Sequence, residues 1–199
     1  ISAACDRLEM VKTEIGKGTF EIKTKEEWND YLLFMDSDDF WSDCNDLSLL
    51  VSEAHKTPEC DFIGFNCSYY YSNDRVVKWV KYDDSLLHTI SSSQCIEKLV
   101  ASGTFPMSAC MKLLKRESIQ GKVEFIKGIY SEDIPWFIDL LSKTQRCRFV
   151  NHYMYMYRRG ISTSITSSFS NKIFINLNYA FLFSTAKVTF SLLIDHSFS

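Results

Sequence analysis

Apolar and polar positions along this chain follow two periods, one of strands and one of helices. Residues 31–35 (YLLFM) form a short apolar run ended by Asp36, the pattern of a fully buried strand. Residues 46–56 (DLSLLVSEAHK) place Leu47, Leu50, Val51 and Ala54 on one helical stripe, and Pro58 stops that helix. Residues 61–71 and 75–82 are rich in aromatic and β-branched residues and predict a strand pair joined across Ser72-Asn73-Asp74. A short helix over 93–101 ends at Gly103, and 107–114 reads as another strand. Ser131, followed by Glu132 and Asp133, predicts a capped helix through Ser142 with acidic residues at the positive end of its dipole. Pro135 falls in the first turn, where a missing N–H is harmless. Residues 147–150 and 153–157 predict two further strands. Helices and strands alternate, which defines a layered α/β domain without internal repeats.

Composition narrows the class. The chain has 199 residues, 46% of them hydrophobic, with 15 Phe and 10 Tyr, enough to enclose a core and too apolar for disorder. A net charge of −3 argues against a protein built to coat nucleic acid. Seven cysteines at irregular spacing, with no C-x-x-C, suggest neither a zinc site nor a disulfide scaffold and read as buried thiols of a cytoplasmic protein. His55, His88, His152 and His196 are scattered and form no ligand pattern. Residues 173–186 (IFINLNYAFLFSTA) carry no formal charge but are too few to span a bilayer. They read as a helix packed on the core or, second, as one resting on a membrane surface.

The sharpest chemical feature is FMDSDDFW, where Asp36, Asp38 and Asp39 follow a buried strand directly. Ligands bind at strand ends in α/β sheets, and gathered carboxylates repel one another unless a cation or a hydrogen-bond network joins them. A divalent metal held by Asp36 and Asp38 could bridge to a diphosphate. The other reading is an acidic turn whose Asp side chains cap the next helix.

These residues resemble the D-x-D segment of GT-A glycosyltransferases, specifically the inverting family 2 of bacterial polysaccharide and lipopolysaccharide assembly. Three more segments resemble that family in the same order: residues 1–10 (ISAACDRLEM), 125–141 (FIKGIYSEDIPWFIDLL) and 153–166 (YMYMYRRGISTSIT). The resemblance covers residues 1–168 as a partial GT-A-like domain, with 169–199 as a C-terminal hydrophobic helical segment. It implies a nucleotide-sugar donor, a glycan or lipid-linked acceptor, and Mg²⁺ or Mn²⁺ held by Asp36 and Asp38. It implies donor-side roles for Asp36, Asp38, Asp39, Arg158 and Ser164, with Asp39 supporting the turn and Arg158 contacting the diphosphate. Asp133 would be the general base, and Glu132 and Trp136 would lie on the acceptor side, with Phe137 beside Trp136 as an apolar wall. Glu132 next to Asp133 tends to raise the pKa of that base, against the helix dipole. The implied location is cytoplasmic, at the inner face of the membrane.

The resemblance also has departures. The family's A-R-N reads Ala4-Cys5-Asp6 here, and residues 13–30 are long for the link expected before the D-x-D strand. The family's first β-α-β strands, about 50 to 60 residues, are expected to be missing before Asp36. Two further readings follow: an inactive truncated remnant or binding module lacking the donor-nucleotide half, and a metal-dependent phosphohydrolase using Asp36 and Asp38.

Overall fold

Two long strands side by side form the spine of the molecule, and everything that matters for the site is hung from them. The computed structural model describes residues 8–11, 21–24, 31–129 and 131–160. In chain order the elements are β1 (Leu8–Val11), β2 (Glu21–Thr24), β3 (Tyr31–Leu33), β4 (Phe40–Trp41), α1 (Asp46–Lys56), β5 (Phe62–Tyr71) and β6 (Val76–Lys78). They continue with β7 (Ile90–Ser91), α2 (Ser92–Ser102), β8 (Lys112–Lys115), α3 (Arg116–Ile119), α4 (Asp133–Lys143) and β9 (Arg146–Arg159). Strands β1 and β2 pair antiparallel in a sheet of their own.

The other strands make a seven-stranded mixed sheet whose main order is β3-β8-β5-β9-β4. Strand β5 pairs parallel with β9 along its length. On its other edge β5 takes β8 at its first half and β6 at its second, both antiparallel. Strand β9 likewise takes β7 near its start and β4 near its end. Residues Phe62 to Ser68 are all buried, as befits a central strand covered on both faces. Since β3 and β5 both run antiparallel to β8, the strands β3, β5 and β9 share one direction. The chain leaving β3 and the turn that enters β8 therefore lie side by side, opposite Ile63 and Gly64 of β5, while β5 and β9 run on past them.

Helix α4 carries the largest apolar load. Residues Pro135 to Leu141 are buried, and the Phe137 ring meets Phe62 of β5 edge-on at 6.2 Å. Helix α2 opens with a capping box, Ser91 Oγ accepting the Gln94 N–H while the Gln94 side chain accepts the Ser91 N–H. It ends on Gly103 in the left-handed region (φ 64°), as its sequence predicts.

Three expectations change. The strands predicted over 147–150 and 153–157 are one strand, β9. Polar Asn151 and His152 suggest a break, but they sit in a bulge: Gly64 and Asn66 of β5 face Phe149 and Tyr153, so β9 carries extra residues there. Asn151 fills that irregularity by accepting the Tyr82 N–H (2.8 Å) and donating to the Tyr82 carbonyl (3.0 Å). The strand predicted over 107–114 starts only at Lys112, because Ser108 Oγ accepts the Cys110 N–H and winds Ala109–Met111 into a 3₁₀ turn. Ser131 does not cap α4 with its side chain; it sits at φ 60° and its carbonyl accepts the Ile134 N–H. Among the described residues no helix is long and apolar enough to cross a membrane. The segment 169–199 lies outside the described residues.

Candidate active site

Beyond the carboxyl end of β3, two segments far apart in sequence bring acidic groups together. The first comes from the turn after β3. Strand β3 ends at Leu33, two residues before the predicted end, and Phe34 turns into the core while the chain bends back with the Asp39 N–H on the Asp36 carbonyl. Asp36 donates its backbone N–H to the Tyr155 hydroxyl at 3.1 Å, which pins the turn to β9. Asp39 reaches the same strand differently, its Oδ1 accepting the Arg158 N–H at 2.8 Å. Asp39 Oδ2 is buried without a hydrogen-bond partner among the described residues. Asp38 points away from this packing and is exposed.

The second contributor is α4. Asp133 stands in its first turn, half-buried, and accepts the Ala109 N–H from the 3₁₀ turn at 3.4 Å. Glu132, just before it, is exposed. Each acidic group is perturbed for a physical reason. Burial pushes the Asp36 carboxyl up to about 6, with Asp133, Asp38 and Glu132 adding like-charge repulsion and only the Cys110 thiol opposing. Burial likewise raises Asp39 to about 6, against the stabilising Tyr155 hydroxyl and Arg158 N–H. Asp133 is raised, again chiefly by burial, while Lys112 and the Ala109 N–H pull it down and Glu132 pushes it up. Asp36, Asp38, Glu132 and Asp133 thus share one electrostatic site, although the first two and the last two lie almost a hundred residues apart in sequence.

Aromatic packing sets the floor. Trp136 is only 2% exposed; its indole stacks on Phe125 at 5.0 Å and meets Phe34 edge-on at 6.0 Å. It lies beneath the acidic groups rather than on their surface, and Phe137 is equally enclosed. Of the two readings of these rings, an apolar wall near the acceptor or plain helix core, their burial fits core packing beside the turn after β3. Arg158 is exposed and its guanidinium lies over the Phe40 ring at 5.0 Å, next to the turn that its N–H secures. Ser164 lies outside the described residues. Sequence reasoning missed Tyr155, Cys110 and Lys112, which the fold brings to this edge. Tyr155 was readable as part of Y-x-Y-R, and Lys112 as a charge inside the apolar run ACMKLL, a position that only a buried, partnered lysine can hold.

Among the described residues no three His, Cys, Asp or Glu side chains gather as a ligand group. The donor set still suits a hard divalent cation of the shared kind. Asp36 and Asp38 offer carboxylate oxygens, and the Asp36 carboxyl is raised by negative charge that a cation would offset. Such an ion would complete its shell with ligand oxygens, not with a protein cage.

The elements form a mixed α/β fold that is similar to the fold of a solved glycosyltransferase structure. Among solved structures, the chain is similar to S. aureus TarS 1–349 in complex with UDP-GlcNAc, with a TM-score of 0.56 at 12% sequence identity, covering 77% of this chain and 42% of that one. A second crystal structure of TarS 1–349 gives a TM-score of 0.43 at 14% identity, over 65% of this chain and 36% of that one. The likeness is one of fold, and the chain spans about two-fifths of the TarS structure's length. No family model matches the chain, and no curated protein matches it.

Proposed function

We propose that the chain is a glycosyltransferase of the inverting family 2 type, moving a sugar from a nucleotide-diphosphate sugar to a hydroxyl of a glycan or lipid-linked acceptor. The observation that supports this reading is that Asp133, from the start of α4, and Asp38 both lie near enough to Asp36 to raise its carboxyl by like-charge repulsion. The TarS structure with UDP-GlcNAc supports a nucleotide sugar as donor.

In this reading Asp133 takes the proton of the acceptor hydroxyl as that oxygen forms its bond to the anomeric carbon. The bond to the diphosphate breaks on the opposite face and its electron pair leaves with the nucleotide, so configuration inverts. A carboxyl raised by burial is a better proton acceptor than a free one, and the Ala109 N–H orients it. Asp36 and Asp38 would hold Mg²⁺ or Mn²⁺, whose charge would stabilise the departing diphosphate. Asp39 braces the turn against β9, and the Arg158 guanidinium is placed to meet phosphate oxygens. Glu132, exposed beside Asp133, would face the acceptor. Ser164 would contact the donor from the segment after β9. We assign the chain to the cytoplasm, where its thiols stay reduced, with the uncharged stretch 173–186 against the inner face of the membrane.

The test is Asp133→Asn, assayed by sugar transfer from a panel of nucleotide sugars and by calorimetry with UDP and Mn²⁺. The expected outcome is loss of transfer by roughly a thousandfold with donor affinity within about twofold. Unchanged turnover removes Asp133 from the base role. Donor binding without any transfer by the wild type supports a binding module in place of an enzyme.

A further inference from the structure

Lys112 opens β8 directly under the acidic edge and is 0% exposed. An ammonium so enclosed is costly unless its charge is answered. Its Nζ donates to the carbonyls of Pro106 (2.6 Å) and Ser108 (2.7 Å) and lies 3.9 Å from the centroid of the Phe137 ring. Those two carbonyls belong to the turn that also presents the Ala109 N–H to Asp133. Asp133 and Phe137 are one helical turn apart on the same face of α4, so an ammonium lying over Phe137 is on the side of the helix that carries Asp133, near enough for the two charges to act on each other. Lys112 is faced by Asp133 of α4, Cys110 of the 3₁₀ turn and Cys95 of α2. Asp133 is faced by Lys112, by its neighbour Glu132, by the Cys110 thiol and, across the edge, by Asp36.

We propose that Lys112 is a positioning residue for Asp133: its ammonium clamps the Pro106–Ser108 turn so that the Ala109 N–H meets the carboxylate, and its charge is the buried counter-ion of that carboxylate. The role rests on the glycosyltransferase reading only in naming Asp133 a base. The clamp itself is a property of the fold. Burial lowers the pKa of Lys112 and raises that of Asp133, so each group depends on the other's charge to stay ionised. A buried lysine serving only as packing would show no such dependence.

The experiment uses the full 199-residue chain in two variants. In Lys112→Met, which keeps the length of the stem and drops the charge, carboxyl NMR follows the titration of Asp133. In Asp133→Asn, nitrogen-detected NMR follows the Lys112 ammonium. The second variant alters a half-buried side chain at a helix start and keeps the proposal testable should Lys112→Met fail to fold. The Asp133 midpoint is expected to rise by about one unit in the first and the Lys112 midpoint to fall by about one unit in the second. Where transfer is measurable, Lys112→Met should lower kcat roughly tenfold below the shifted midpoint, with the Kd of UDP and Mn²⁺ within about twofold. An unmoved midpoint in either variant overturns the proposal. A wild-type chain that transfers no sugar from any nucleotide sugar overturns the glycosyltransferase reading instead, and the two titrations still decide the role of Lys112.

Discussion

At the scale of single residues, the acidic edge is a place where the fold is held at a cost. Asp36 is half-buried, near Asp133, Asp38 and Glu132, and its carboxyl is raised to about 6. Its backbone N–H, not its carboxylate, is what secures the turn, through the Tyr155 hydroxyl. An acidic turn that merely capped a helix would show the reverse, with the carboxylate satisfied by backbone N–H groups and its pKa depressed. Asp43 behaves in that ordinary way: its Oδ1 accepts the Asn45 N–H, which lowers its carboxyl. Replacing Asp36 by Asn removes the charge and keeps the shape. In the presence of a chelator at pH 7, Asp36→Asn is therefore expected to raise stability by up to about 2 kcal/mol while it removes the affinity for Mn²⁺ with UDP. Urea denaturation and calorimetry read the two effects. A destabilised Asp36→Asn would mean that the carboxylate is structural.

At the scale of elements, what was legible in the sequence follows the range of the forces involved. Helix α1 was found at its true bounds, because its apolar stripe and Pro58 are local signals. So was the pairing of β5 with β6 across Ser72-Asn73-Asp74. The carboxylates at the edge were legible through their place after a buried run and before a helix. The continuity of β9 was not, since the polar pair Asn151-His152 is tolerated only by the bulge facing Gly64 and Asn66, a long-range feature. Nor were the partners of Trp136, Phe34 and Phe125, because an aromatic stripe on a helix does not say which neighbour covers it. Gly64 shows how tight that central contact is. A Cβ there would lie 2.3 Å from the Phe149 ring, and Phe149 is itself fixed between Tyr82 (4.8 Å) and Phe62 (6.1 Å). The ring cannot swing aside without displacing both neighbours. Gly64→Ala is expected to cost about 1–3 kcal/mol by thermal or urea unfolding, while Gly103→Ala, with open space around it, should show only the smaller strain of its positive φ. Equal costs at the two positions would argue against close packing of Phe149 on β5.

At the scale of the whole molecule, β5 has carboxylates of opposite character at its two ends. Asp61, before its first residue, has its pKa lowered despite burial, because Ser118 and the N–H groups of Arg146 and Gln145 hold the carboxylate. Glu53 is lowered too, by Lys56 first, with Arg148 adding to it. These groups stabilise the fold above their unfolded pKa, and that contribution is lost as pH falls through their folded values. At the other end Asp36 and Asp39 are raised from 3.8 to about 6, so the folded chain binds more protons than the unfolded one across that interval. Stability from this set is present at low pH and falls as pH rises through the same window. The two sets together require a maximum, and without metal it should lie at about pH 4 to 5, not at neutrality. Urea titrations from pH 3 to 7.5 with a chelator measure it. Asp61→Asn should flatten the acid limb and Asp36→Asn the neutral limb, because each removes one end's charge. Mn²⁺ with UDP should also flatten the neutral limb, since a cation on Asp36 and Asp38 keeps both ionised without repulsion. Stability that climbs steadily from pH 4 to 7 in the chelated protein would mean that the acidic edge is not under charge strain, and the case for a cation there would fall with it.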